Sequence, residues 1–309
     1  TALKGIAYAN QNKGKHIITS KIEHPAILHS CQNLEKKGFE VTYLDVDKDG
    51  FVNLQTLENS IRQDTILISV MFANNEIGTI EPIQEIAKIA HKNGIIFHTD
   101  AVQACGNIPI DVQKMDIDML SLSGHKIYAP KGIGALYVKK GIEFERFMDG
   151  GHQEKNKRSG TENVAEIVAL GKACQIAEKN MEQYQNKLKL LRDYCLEKMK
   201  KSFSNIHING TMEKRLPGNI NISFEGQDAT ELLYKLDEMG ICASGGSACS
   251  SGDNSPSHVL TAIGLPSELA KGAIRFTFGD FNTKDDVDYL IAAIAHLIPS
   301  TAADIIPPA

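Results

Sequence analysis

The chain has 309 residues, 42% of them hydrophobic and 23% charged, with a formal net charge of −5. This is an ordinary globular composition, long enough for one large domain and a smaller one. No basic tract suits nucleic acid, and no apolar run approaches the roughly 18 residues that span a bilayer. The six cysteines contain no Cys-x-x-Cys pair, so neither a disulfide framework nor zinc-ligand spacing is expected. Scattered thiols suggest a reducing, cytoplasmic setting.

No signal peptide is visible at the start, and Thr1 stands in what reads as the middle of a helix. A longer native N-terminus is therefore expected. Residues 16–20 read as a strand and 25–37 as a helix, then 40–46 as a strand and 54–62 as a helix. Residues 65–72 (TILISVMF) form a continuous apolar strand. A helix is expected over 83–92, with Pro82 at its start and Asn93-Gly94 as its stop. Strands follow at 95–100, 118–123 and 134–138, the last after the turn Ala129-Pro130-Lys131-Gly132. Strands apolar on both faces and separated by helices predict an α/β fold with a mainly parallel sheet.

Past residue 163 the pattern changes. Ile167, Leu170, Cys174, Ala177, Met181, Tyr184, Leu188, Leu191 and Cys195 recur at spacings of three and four. That predicts one long helix with an apolar stripe, running to about residue 200. We read it as a helix joining two domains rather than a coiled coil. The expected division is a large domain over 1–180 and a smaller α+β domain over 181–309. The second should hold strands at 219–224 and 273–278, with helices at 229–239 and 284–297. The tail after residue 300 has little pattern.

Two of these strands end in reactive side chains. Asp100 closes Ile95-Ile96-Phe97-His98-Thr99-Asp100, and Lys126 follows the next strand in Ser123-Gly124-His125-Lys126. Open α/β sheets bind ligands at the carboxyl ends of their strands. An amine and a carboxylate placed there suit pyridoxal phosphate (PLP). The amine joins the cofactor aldehyde, and the carboxylate keeps the ring nitrogen protonated so that the ring draws electrons. The plain alternatives are a surface lysine and an aspartate that caps the next turn. Ser123 and His125 suit a phosphate, and Gln103, a turn beyond Asp100, suits the ring's phenolic oxygen. His24, before Pro25, either caps a helix or stacks on the ring. Asn75, in Asn74-Asn75-Glu76, either makes a polar turn or reaches a substrate carboxylate.

Cys249 lies in a run of small residues, Ser244-Gly245-Gly246-Ser247-Ala248-Cys249-Ser250-Ser251-Gly252. Such a run builds no core and reads as a mobile loop, where a thiol serves as a nucleophile rather than as packing. Cys242, in Gly240-Ile241-Cys242-Ala243, reads as packing. Arg275, inside Ala273-Ile274-Arg275-Phe276-Thr277-Phe278, is costly unless it meets an anion. Its planar fork suits a carboxylate, and an internal ion pair is the alternative.

Taken together these segments resemble the group I cysteine desulfurases, the NifS/IscS type, among the fold-type-I PLP enzymes. The matching stretches are HIITSKIEHPAIL, NNEIGTIEPI, HTDAVQ, SLSGHKIYAPKGIGALYV, RSGTEN, LPGNINISF, SGGSACSSGDNSPSHVL and AIRFTFG. The resemblance implies a seven-stranded, mainly parallel sheet in the large domain. It also implies a homodimer, L-cysteine as substrate, and a scaffold or acceptor protein taking sulfur for iron–sulfur clusters or tRNA thiolation. It further implies that Lys126 holds PLP and shuttles the Cα proton while Asp100, Gln103, His24, Ser123 and His125 bind the cofactor. Thr161 of RSGT would reach the partner subunit's phosphate, and Arg275 and Asn75 would hold the substrate carboxylate. Cys249 would take the sulfur as a persulfide. The family's opening phosphate loop is not found before Thr1. His152, Asn156 and Ala129 stand where the family has glycine, and Asp280 where arginine is common. A selenocysteine lyase, and a catalytically silent sulfur-carrier or scaffold protein, are the alternatives.

Overall fold

The computed structural model describes residues 1–246 and 256–298. These fall in two compact units. The first comprises 1–46, 51–74 and 80–181, and the second comprises 47–50, 75–79 and the residues from 182 onward.

The first unit opens with α1 (Ala2–Asn10) and β1 (His16–Ser20), then α2 (Pro25–Glu35) and β2 (Glu40–Leu44). Next come α3 (Leu54–Asn59), β3 (Thr65–Ser69), α4 (Ile83–Lys92), β4 (Ile96–Asp100), β5 (Met119–Ser123) and β6 (Gly134–Val138). The strands form one sheet in the order β2-β1-β3-β4-β5-β6. The first five run parallel, and β6 is antiparallel to β5. The sheet thus has six strands among the described residues, one fewer than the seven expected. Every residue of β1 and β3 is buried, as helices packed on both faces of a parallel sheet require. Ile17, Leu67 and Phe97 are fully buried, and each such side chain contributes about 1.5–3 kcal/mol of burial.

The chain passes from β1 to β2 on one side of the sheet and then crosses to β3 on the other. This reversal sets the carboxyl ends of β1 and β3 side by side, the position where open α/β sheets bind ligands. Regular pairing stops earlier than the apolar runs predict. The strand expected over 40–46 ends at Leu44, with Val46 making only an isolated bridge to Val52. The strand expected over 65–72 ends at Ser69, although Val70 and Phe72 still donate to the carbonyls of His98 and Asp100.

After a short turn, α5 (Gln153–Asn156), comes α6 (Val164–Ser202), which is 39 residues long. Its apolar stripe divides in two. Leu188, Leu191, Cys195 and Met199 are buried in the second unit's core, whereas Ile167 and Cys174 are exposed. Periodicity identified the helix but not which half is covered.

The second unit has an antiparallel sheet ordered β7 (Ile206–Ile208), β8 (Asn219–Phe224), β9 (Ala273–Thr277). Its core joins β8 residues Ile220, Ile222 and Phe224 to Leu232 and Leu236 of α7 (Ala229–Glu238) and to Val287 and Ile291 of α10 (Lys284–Leu297). The short elements β7, α8 (His258–Ala262) and α9 (Ser267–Lys271) carry too little periodicity to be read in advance. Cys242 is exposed, which corrects the expectation that it packs. It lies ahead of the isolated bridge at Ser244 rather than in a buried strand. No helix among the described residues is long and apolar enough to cross a membrane.

Candidate active site

Three strand ends of the first unit carry the residues singled out in the sequence. After β1, His24 is the N-cap of α2, and its Nδ1 accepts from Ala26 N at 3.1 Å. An accepting Nδ1 leaves the ring proton on Nε2. The capping alternative is therefore realised.

Asp100 ends β4 and is buried at 8% exposure. Its Oδ1 accepts from Val102 N at 3.0 Å, so it caps the next turn, as the alternative reading allowed. Burial pushes its pKa up, while the Val102 amide and His24 pull it the other way. Residues 102–107 form turns rather than a helix, with Cys105 N donating to Ala101 O at 2.9 Å. Gln103 is half-buried there.

β5 delivers Ser123 into a single 3-10 turn, Gly124–Ile127, which carries His125 and Lys126. Gly124 is required at this point. A Cβ on it would stand 2.9 Å from Ile133 Cγ2 and 3.0 Å from Ile133 O, and its N–H donates to that same carbonyl at 2.9 Å. Ser123 Oγ and His125 Nδ1 are 2.8 Å apart. Burial, and then the charges of Lys126 and Lys131, lower the His125 pKa. Lys126 is exposed. Tyr128 closes the turn in the left-handed region at φ 64°.

This donor set fits PLP. It offers a primary amine for the aldehyde, a buried carboxylate whose charge a protonated ring nitrogen would balance, and a hydroxyl–imidazole pair suited to phosphate. Among the described residues, no three His, Cys, Asp or Glu side chains gather into a metal site.

Thr161 is exposed. The segment before it turns through left-handed backbone at Glu154, Lys155 and Asn156, with φ of 47°, 54° and 65°. Asparagine tolerates that region better than most residues, which suits Asn156 to it. Ser159 Oγ donates to Gly151 O at 2.8 Å, and Gly160 N donates to Gln153 Oε1 at 3.1 Å.

In the second unit, Arg275 of β9 donates from Nη1 to the backbone carbonyl of Asn75 at 2.7 Å. Arg275 and Ser244 also exchange backbone hydrogen bonds, at 2.6 and 3.2 Å. Ser257 Oγ donates to Glu76 Oε2 at 2.5 Å and caps α8. The backbone carbonyl of Glu76 accepts from the side-chain amides of Asn219 and Asn221 at 3.2 Å each. The stretches on either side of 247–255 are thus both tied to residues 75–76, directly at Ser257 and through Arg275 at Ser244. Cys249 itself lies outside the described residues.

Sequence reasoning passed over Glu23 and Glu76. Each is a carboxylate beside a candidate residue at a strand-to-helix junction, and that adjacency was the available signal.

Residues 1–290 match the aminotransferase class-V family, to which the chain belongs. Among its relatives, the cysteine desulfurase IscS of Dictyoglomus turgidum is 52% identical over 297 residues, covering 96% of this chain and 75% of that protein. The IscS of Methanosarcina thermophila is 53% identical over 297 residues, covering 96% of this chain and 73% of its own length. A solved NifS-like protein superposes with a TM-score of 0.89 at 35% identity, over 96% of this chain and 78% of that one.

Proposed function

We propose that this protein is a PLP-dependent cysteine desulfurase that converts L-cysteine to L-alanine and carries the sulfur as a persulfide on Cys249. The observation that carries this reading is the buried carboxylate of Asp100 at the end of β4, with the amine of Lys126 in the turn after the neighbouring strand β5, in a chain 52% identical to a cysteine desulfurase. Bound PLP supplies an electron sink that acidifies the substrate Cα–H and weakens the Cβ–S bond.

The chain's own residues do the rest. Lys126 Nζ anchors the cofactor and takes and returns the proton at substrate Cα. Asp100 holds the proton on the ring nitrogen, which in turn relieves the cost of burying its charge. Gln103 donates to the ring oxygen, and His24 stacks on the ring. With Ser123 Oγ donating to His125 Nδ1, the imidazole Nε2–H serves the phosphate, and Thr161 serves the phosphate of the partner subunit. Arg275 and Asn75 hold the substrate carboxylate. The Cys249 thiolate attacks the substrate sulfur. An S–S bond forms, the C–S bond breaks, and the carbon that keeps the bonding pair is protonated to give alanine.

The protein acts as a homodimer in the cytoplasm and passes its sulfur to an acceptor or scaffold protein, for iron–sulfur clusters or tRNA thiolation. Support for the dimer comes from α6, where Val164 and Val168 are each 64% exposed and Ile167 is 42% exposed. Such a patch favours association.

The test is an absorption spectrum of the protein with PLP, followed by L-cysteine with alanine and sulfide quantified. A cofactor band that shifts with cysteine, with alanine formed, supports the desulfurase. Turnover of selenocysteine alone would make it a selenocysteine lyase, and a protein that takes up no PLP would make it a silent homologue.

A further inference from the structure

Glu23 precedes His24 in the segment between β1 and α2, and its side chain is fully buried. Its Oε1 accepts from Ser20 Oγ at 2.7 Å and from Met71 N at 2.8 Å. Asn74 Nδ2 adds a parallel tie by donating to Ile22 O at 2.9 Å. These bonds join the chain leaving β1 to the chain leaving β3, at the place where the strand order reverses. None of the roles proposed above uses Glu23.

We propose that Glu23 is a positioning residue for the cofactor site, whose carboxyl clamps the ends of β1 and β3 together and so fixes where His24 stands. The proposal rests on His24 facing the cofactor. The next residue cannot move independently of this anchor. His24 is also pinned on its other side, by the capping bond from Ala26.

Glu23 clamps as the neutral acid. Burial pushes its pKa up to about 8, against the pull of the bonds from Met71 N and Ser20 Oγ, and the like charges of Asp100 and Glu81 push the same way. The ionisable groups that act on it are Asp100 at the end of β4, Glu81 ahead of α4, and Cys31 of α2, whose thiol burial pushes up to about 12, while its chain neighbour His24 acts on Asp100. Ionisation puts a second anion in the buried switch point near Asp100, and the cost of burying it loosens the segment even though the bonds from Met71 N and Ser20 Oγ themselves strengthen.

The experiment is a double-mutant cycle on the affinity of the apoprotein for PLP, read by absorbance across pH. Glu23→Ala should weaken PLP binding about tenfold, the scale of losing a supporting partner behind a ligand, and should add little in a His24→Ala background. Glu23→Gln should retain most of the affinity at about pH 7 and hold it to about pH 9, where the wild type loses it. Additive effects of Glu23→Ala and His24→Ala, or identical pH profiles for wild type and Glu23→Gln, would overturn the proposal. A wild type that takes up no PLP would overturn the cofactor reading and this role with it. A urea midpoint for Glu23→Gln that rises relative to wild type with increasing pH would still report the neutral buried acid.

Discussion

His98 offers a quantitative test of the sheet that presents Asp100. It lies in β4, is fully buried, and stands between Ser69 Oγ on β3, 2.8 Å from Nδ1, and Ser121 Oγ on β5, 2.9 Å from Nε2. A neutral imidazole satisfies both hydroxyls, with one nitrogen donating and the other accepting. Burial lowers its pKa from 6.5 to about 3. The folded chain therefore excludes a proton that the unfolded chain binds below pH 6.5. The stability concerned is intact above that pH and is lost as the pH falls toward 3. At 1.36 kcal/mol per unit, the loss reaches ~2 kcal/mol by about pH 5. His98→Gln keeps polar reach toward the serines but binds no proton. Urea unfolding at about pH 7.5 and about pH 5 should show the wild type losing ~2 kcal/mol more than the variant. The comparison is of the change within each protein, so a lower absolute stability of the variant does not disturb it. His16, whose pKa burial also lowers, is common to both and cancels. Equal losses in the two proteins would refute the reasoning.

Lys126→Ala should abolish borohydride-trappable attachment of PLP, which mass spectrometry of the reduced protein reads directly. Cys249→Ser should keep the cofactor absorbance and lose protein-bound persulfide; persulfide retained at the wild-type level would place the nucleophile on another residue. Arg275→Ala should weaken cysteine binding by about 2–5 kcal/mol, the scale for truncating one partner of a buried charge pair. Unchanged affinity would leave Arg275 the structural task of holding the Asn75 carbonyl, and the variant would then show its defect as lost stability.

The strand-end residues were legible because chemistry there breaks the local pattern. Asp100 interrupts an apolar strand, and Lys126 follows two small residues. Gly124 was visible as part of that signature, but its physical reason, the approach of Ile133, was not. The capping role of His24 was also open in the sequence, since a histidine before a helix-starting proline is a cap whatever else it does. Cys242 shows the limit. A short apolar neighbourhood suggested burial, yet a few residues ahead of a bridge need not be covered.

The sequence by itself determined the α/β alternation, the long helix, the positions of the strand ends and the residue types on them. Those depend on periodicity, glycine and proline signals, and side-chain chemistry, all of which are local. Only the tertiary structure decided the strand order, the burial of Glu23 against Ser20 and Met71, the Ser69–His98–Ser121 row, and the convergence of Arg275 and Ser257 on residues 75–76. Each of these contacts joins residues 23 to 200 positions apart, apart from the short Ser20–Glu23 link. No local preference encodes which distant donor will meet a given carboxyl. That is settled when strands pair and their buried polar groups must find partners or remain unsatisfied.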